Sequence, residues 1–208
     1  MCIRDSFFPL NASTQHVTLR RQEFATRARV TTSARLECGP REIRHQVVLE
    51  VDPAGQQLSG LDVQFSLPVP DRNWILEEAQ GSTEEVVSPK VIGEGNHVHQ
   101  LTFQSSQDEA FRLRFEYAQP WRPDTSSHEA AAFDVPIVLA ASGTAISSSR
   151  LLVFGLDGVP VEADAQQLRT IQIGDDEIGN DARFLRTAFA NDRMGSAIPE
   201  LVLRRPHA

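Results

Sequence analysis

The chain has 208 residues, 40% of them hydrophobic and 23% charged, an ordinary balance for a globular domain. Its formal net charge of −8 argues against general nucleic-acid binding, which needs clustered Lys and Arg to neutralise phosphates. Two cysteines, Cys2 and Cys38, are too few for a disulfide framework, and no apolar run reaches the ~20 residues of a membrane-spanning helix.

Residues 1–14 read as a disordered or artefactual N-terminus. The opening MCIRDS resembles a translated adaptor on a metagenomic fragment, which implies that Cys2 is not native. The β pattern starts at Val17. Phe24, Ala28, Val30, Ala34, Leu36 and Cys38 share one parity, as in one long strand or two. Gly39-Pro40 forces a turn, and HQVVLEV, with Val47, Leu49 and Val51 on one side, forms the next strand. Leu61, Val63, Phe65 and Leu67 alternate with Asp62, Gln64 and Ser66 until Pro68 and Pro70 end the run, because proline cannot donate to a sheet ladder. Trp74–Leu76 is a short strand, and an edge strand is expected near Val86–Ile92.

The stretch His97–Trp121 organises the rest. His99, Leu101 and Phe103 alternate with polar residues, and Phe111, Leu113, Phe115 and Tyr117 alternate with Arg112, Arg114 and Glu116. Two such runs joined by a short polar loop predict an antiparallel hairpin at the centre of the core. Further on, Pro136 suggests an edge position for the strand around Ile137–Leu139. Leu151–Phe154 fits a strand buried on both faces. Ala163–Arg169 reads as a helical turn, Ile171 and Ile173 as a last strand, and Asp181–Ala190 as a short helix with an acidic start. Leu201–Leu203 could add an edge strand.

About nine to eleven short strands without long helical patterns between them predict an all-β fold, an antiparallel β-sandwich with long loops and a short C-terminal helix, with a barrel as the main alternative. The sandwich is expected over 15–174, followed by a C-terminal appendage or the start of a truncated next domain over 175–208. Leu49, Val51, Val63, Phe65, Leu101, Phe103, Leu113, Phe115, Val153 and Phe154 should form the core.

Motifs for chemistry are sparse. His97 and His99 share a strand face, but a zinc site needs further ligands at tight spacing, so no metal is expected. Adjacent carboxylates such as Glu77-Glu78, Glu84-Glu85 and Asp108-Glu109 point apart on a strand and do not face each other as a glycosidase pair must. Asp175, Asp176 and Glu177, with Asn180 and Asp181, lack the order of a calcium loop and read as a solvated acidic turn. There is no GxSxG elbow, and Cys38 reads as a buried, inert thiol. Val17–Arg44 holds seven arginines against three glutamates, a local +4 that cross-strand pairing can absorb. Trp121, in a proline-rich loop, and Trp74 are the candidate ligand-binding surface, with Trp74 also suited to the core.

Two stretches, GLDVQFSLPVP and FRLRFEYAQPW followed by FDVPIVLA, resemble a β-sandwich module of large uncharacterised bacterial envelope proteins. That resemblance implies an extracytoplasmic module of a longer chain. The expected function is a non-catalytic structural or interaction module, with a carbohydrate- or ligand-binding accessory domain of an enzyme as the alternative. No cofactor is expected. Partners would be other domains of the same chain or other proteins.

Overall fold

The computed structural model describes residues 28–65, 68–78, 84–92, 98–120, 127–128, 137–139, 145–166, 168–174, 178, 181, 184–190 and 200–204. Within them the chain is nearly all β, as expected. The strands are β1 (Arg29–Cys38), β2 (Glu42–Asp52), β3 (Leu58–Gln64), β4 (Trp74–Glu78), β5 (Glu84–Val87), β6 (Lys90–Ile92), β7 (Val98–Gln107) and β8 (Phe111–Pro120). There follow β9 (Ser127–His128), β10 (Ile137–Leu139), β11 (Ala145–Gly155), β12 (Glu162–Gln166), β13 (Arg169–Ile171), β14 (Leu185–Ala190) and β15 (Glu200–Arg204).

They form an eight-stranded sheet in the order β13-β14-β11-β1-β2-β8-β4-β5, a four-stranded sheet β10-β3-β7-β6 and a three-stranded sheet β12-β15-β9. Pairing is antiparallel except between β1 and β11, which run parallel from Arg29↔Ala145 to Cys38↔Gly155 with one register shift. β1 and β2 are a true hairpin, Cys38 opposite Ile43, closed by Gly39 N–H donating to the Glu42 carbonyl at 2.9 Å.

The expected hairpin at His97–Trp121 is not one. β7 pairs with β3 and β6, whereas β8 pairs with β2 and β4. The turn at Asp108–Ala110 therefore carries the chain from the four-stranded sheet to the eight-stranded sheet. The two apolar rows meet face to face instead of lying side by side. Phe103 and Phe111 touch edge to face at 5.3 Å between centroids, and His99 meets Phe115 at 5.4 Å. A second crossing follows β5. Val87 belongs to the large sheet, Lys90 to the small one, and Ser88-Pro89 makes the step. The edge strand expected near Val86–Ile92 is thus two edge strands, one on each sheet.

The expected core residues are buried: Leu49, Val51, Val63, Phe65, Leu101, Phe103, Leu113, Phe115, Val153 and Phe154. Arg112 is exposed, and Arg114 and Asp62 are half-buried on the outward parity. Phe154 is covered from outside by Arg35, whose guanidinium lies 4.1 Å from the ring centroid. Arg35 is held there by Glu37 and Asp181, each at 2.8 Å. β3 bends close against β7 at Gly60, where any Cβ would overlap the Leu101 carbonyl.

Neither expected helix is seen among the described residues. Ala163–Arg169 is split between β12, which pairs with β15, and β13, which pairs with β14. Its Ala, Gln and Leu are good helix formers, but propensity is worth only tenths of a kcal/mol per residue and strand pairing outweighs it. Within Asp181–Ala190, β14 adds antiparallel to β11, with Phe189 opposite Leu151. A ten-residue helix would have left that edge of β11 unpaired. The residues beyond 174 thus supply strands to two sheets. β13 and β14, on either side of that point, are hydrogen-bonded neighbours. Leu201 and Leu203 of β15 are buried in the same apolar cluster as Leu36 and Phe115. Leu201–Leu203, expected at an edge, is the central strand of the three-stranded sheet.

Candidate functional site

Alternation on β2 sends His45 inward and its neighbours Arg44 and Gln46 outward. On β8 it sends Tyr117 inward and Glu116 outward. Register then places His45 directly opposite Tyr117, and their rings stack at 4.2 Å with 7° between planes. From Tyr117 a chain of rings runs through the core. Phe115 lies 5.6 Å from Tyr117 and stacks on Trp74 at 4.8 Å. Trp74 in turn donates its indole N–H to Nδ1 of His99 at 3.2 Å.

β4 pairs with β8 only from Ile75↔Arg114 to Glu78↔Phe111. Above the start of β4, a depression of about 350 Å3 opens over the His45–Tyr117 stack, flanked by Arg44, Arg72, Glu37 and Glu116. A second depression of about 420 Å3 adjoins it at the β1–β2 turn, where Arg41, Glu42 and Asp157 join Glu37 and Arg44. Charges of both signs line the rim, and several are already engaged. Arg44 donates to Glu42 at 2.7 Å, which raises its pKa, and Gln46 donates to Glu116 at 2.6 Å.

Burial pushes the His45 imidazole down to about 3, so at neutral pH it is an uncharged ring with no proton to give as an acid. His99 is lowered too, by burial, with Asp71 acting weakly the other way. Among the described residues the lining of neither depression includes a serine, threonine or cysteine. The arrangement can hold a small polar molecule against an aromatic floor.

The sequence candidates fare unevenly. Trp74 is fully buried and does not belong to a ligand-binding surface. Its place opposite Phe115 and His99, both on inward parity, turns its ring into the core. Trp121 lies outside the described residues, as do His97, Asp175, Asp176, Glu177 and Asn180. His99 is fully buried on Trp74, a role the metal reading did not include. Asp181 pairs with Arg35. Cys38 is a buried thiol. In the described part of the arginine-rich segment, Arg35 and Arg44 pair with glutamates on their own strands, two residues away. Sequence reasoning missed the His45–Tyr117 stack and Arg72. Both rings have inward parity, but only the β2–β8 register brings them together.

No protein-family model matches the chain, and no curated protein does. Among solved structures, it is similar to a mutant of a two-domain M1 zinc metallopeptidase bound to L-arginine, at 14% identity and a TM-score of 0.37. It is also similar to an M1 zinc metallopeptidase from Deinococcus radiodurans, at 13% identity and a TM-score of 0.35. Each comparison covers 86% of this chain and 42% of the other, so the chain spans less than half the length of these proteins.

Proposed function

We propose that the chain is a non-catalytic structural or interaction module of a larger bacterial extracytoplasmic protein. One observation carries this reading: the side chains with chemical capacity are packed inside the sandwich, and one pair of them, Trp74 and His99, joins its two large sheets. His45, His99, Trp74 and Tyr117 form one ring assembly inside the sandwich, and Cys38 is buried beside β2. The outward face of the large sheet supports it. Arg112 pairs with Glu50 and Arg114 with Glu77 and Glu116, a mixed-charge surface suited to a neighbouring domain or protein. The resemblance to envelope-protein strands supplies the cellular setting. The purified chain should turn over no ester, glycoside or peptide substrate, with or without added zinc or manganese. Turnover that tracks the protein through purification and disappears with a chelator or with Glu37→Gln would overturn the proposal.

A second reading, a carbohydrate- or ligand-binding accessory domain, rests on the depression over His45 and Tyr117. Calorimetric titration with neutral and acidic oligosaccharides separates the two. Stoichiometric binding weakened by Arg72→Ala favours the accessory domain, and no heat favours the structural module.

A further inference from the structure

His99 of β7 has no exposed surface, yet it holds a hydrogen bond that crosses between the two large sheets. The Trp74 indole Nε1 on β4 donates to its Nδ1 at 3.2 Å. An indole nitrogen can only donate, so the ring nitrogen facing it must be an unprotonated acceptor. The neutral imidazole then carries its proton on Nε2, a buried atom without a hydrogen-bond partner among the described residues. Phe65 at 5.1 Å and Phe115 at 5.4 Å close the space around the ring. Within its own sheet, His99 lies between Val63 of β3 and Val91 of β6. Asp71, in the segment before β4, is the charged group that bears on it and favours its protonation, while burial disfavours it more strongly.

A second proton has no place in this geometry. At Nδ1 it would set a donor against the indole donor, and the resulting cation would be walled by Phe65, Phe115 and Trp74, with Asp71 offsetting only part of the cost of burial. The ring can be charged only if Trp74 and His99 separate. That separation pulls β4 of the large sheet from β7 of the small one. β4 is five residues long, and β5, the strand beyond it, has four and ends the sheet. This corner of the sandwich is built of short strands, with the three-residue β6 at the edge of the small sheet. We propose that the Trp74–His99 hydrogen bond is an acid-released latch between the two large sheets. Protonation of His99 frees β4 and β5 from β7 while the β1–β2–β8 centre stays folded.

The chain has two tryptophans, so Trp121→Phe leaves Trp74 as the sole indole emitter. On lowering the pH from about 7.5 to about 4, through the range in which a histidine takes up its proton, Trp74 emission should shift to the red. The midpoint should lie below the ordinary histidine value, and far-UV circular dichroism should keep its strand signal. His99→Gln on the same background keeps an acceptor for the indole but cannot take up a proton in this range, so its emission should stay constant. His45→Gln should leave the midpoint where it is. The latch is overturned if His99→Gln retains the red shift, if His45→Gln abolishes it, or if the shift arrives only with loss of the strand signal. Should His99→Gln fail to fold, NMR on the Trp121→Phe chain decides. The His99 Cε1–H and Trp74 indole N–H resonances should follow one common midpoint. A ring that titrates beside an unchanged indole resonance, or stays neutral until global unfolding, overturns the proposal.

Discussion

The β1–β2 and β7–β8 connections look alike in sequence and do different work. Each joins two ten- or eleven-residue alternating strands through a short turn. At Gly39–Arg41 the chain folds back within one sheet, and Leu36 and Val47 line the same face of neighbouring strands. At Asp108–Ala110 it arches from one sheet to the other, and Phe103 meets Phe111 across the core. Alternation states which side chains point inward. It does not state whether two inward rows share a sheet or oppose each other. Turn chemistry separates the cases here: Gly39-Pro40 closes a hydrogen-bonded turn, whereas SSQDEA has neither glycine nor proline.

The largest effect should come from emptying the arch. Phe115 is fully buried against Phe65, Trp74, His99 and Tyr117. Phe115→Ala should cost about 3–5 kcal/mol, measured by denaturant unfolding. A loss under about 1 kcal/mol would mean that the ring does not bridge the sheets.

Acid should be the next strongest lever. His45 belongs to the hairpin strand β2, His99 to the arch strand β7, and burial lowers the pKa of both, so both rings are uncharged at neutral pH. Folded His45 has its pKa lowered from 6.5 to about 3. The unfolded chain therefore binds more protons between those two values, and stability falls as pH drops from 6.5 toward 3. Within that window each pH unit should remove up to about 1.4 kcal/mol on account of His45. His45→Gln should flatten the slope of unfolding free energy against pH. An unchanged slope would assign the acid sensitivity to other groups.

The faces of the strands were legible in the sequence because burial needs only parity. Leu101 and Phe103 on β7 and Phe111, Leu113 and Phe115 on β8 all lie where alternation puts them. Partners were not legible. The parallel β1–β11 pair joins residues more than a hundred positions apart, and no local signal encodes it. The two helical expectations failed for the same reason. Residues 162–166, 169–171 and 185–190 complete strand edges supplied by other parts of the chain, so pairing decides their conformation. Of the candidate site, Trp74 fits a surface or the core by sequence alone, because the sequence does not name its strand's neighbours. Once β4 lies beside β8 and faces β7, its ring has only the core to enter.

A double-mutant cycle tests the arch directly. A hairpin closed by Gln107 opposite Phe111 would put Phe103 opposite Phe115. The arch instead brings Phe103 to Phe111. Coupling between Phe103→Leu and Phe111→Leu should be about 0.5–1.5 kcal/mol, as for other edge-to-face rings. It should exceed the coupling between Phe103→Leu and Phe115→Leu. The reverse order would restore the hairpin.

The smallest effect belongs to the outward face, where strand neighbours are joined by exposed charge. Arg112 on β8 lies directly opposite Glu50 on β2 and donates to it at 3.0 Å. Both side chains are more than half exposed, so water and salt screen the pair. A cycle of Arg112→Ala and Glu50→Ala should give a coupling of about 0.2–1 kcal/mol at low ionic strength and less in molar salt. Glu77 lies on the other side of Arg112 in the β4 register, with its carboxylate on Arg114 at 3.3 Å. Glu50→Ala alone should therefore cost less than Arg112→Ala, because the arginine keeps one acidic neighbour. Equal single-mutant losses with no coupling would mean that the exposed pair adds nothing to the β2–β8 contact, which then rests on its backbone ladder and buried face alone.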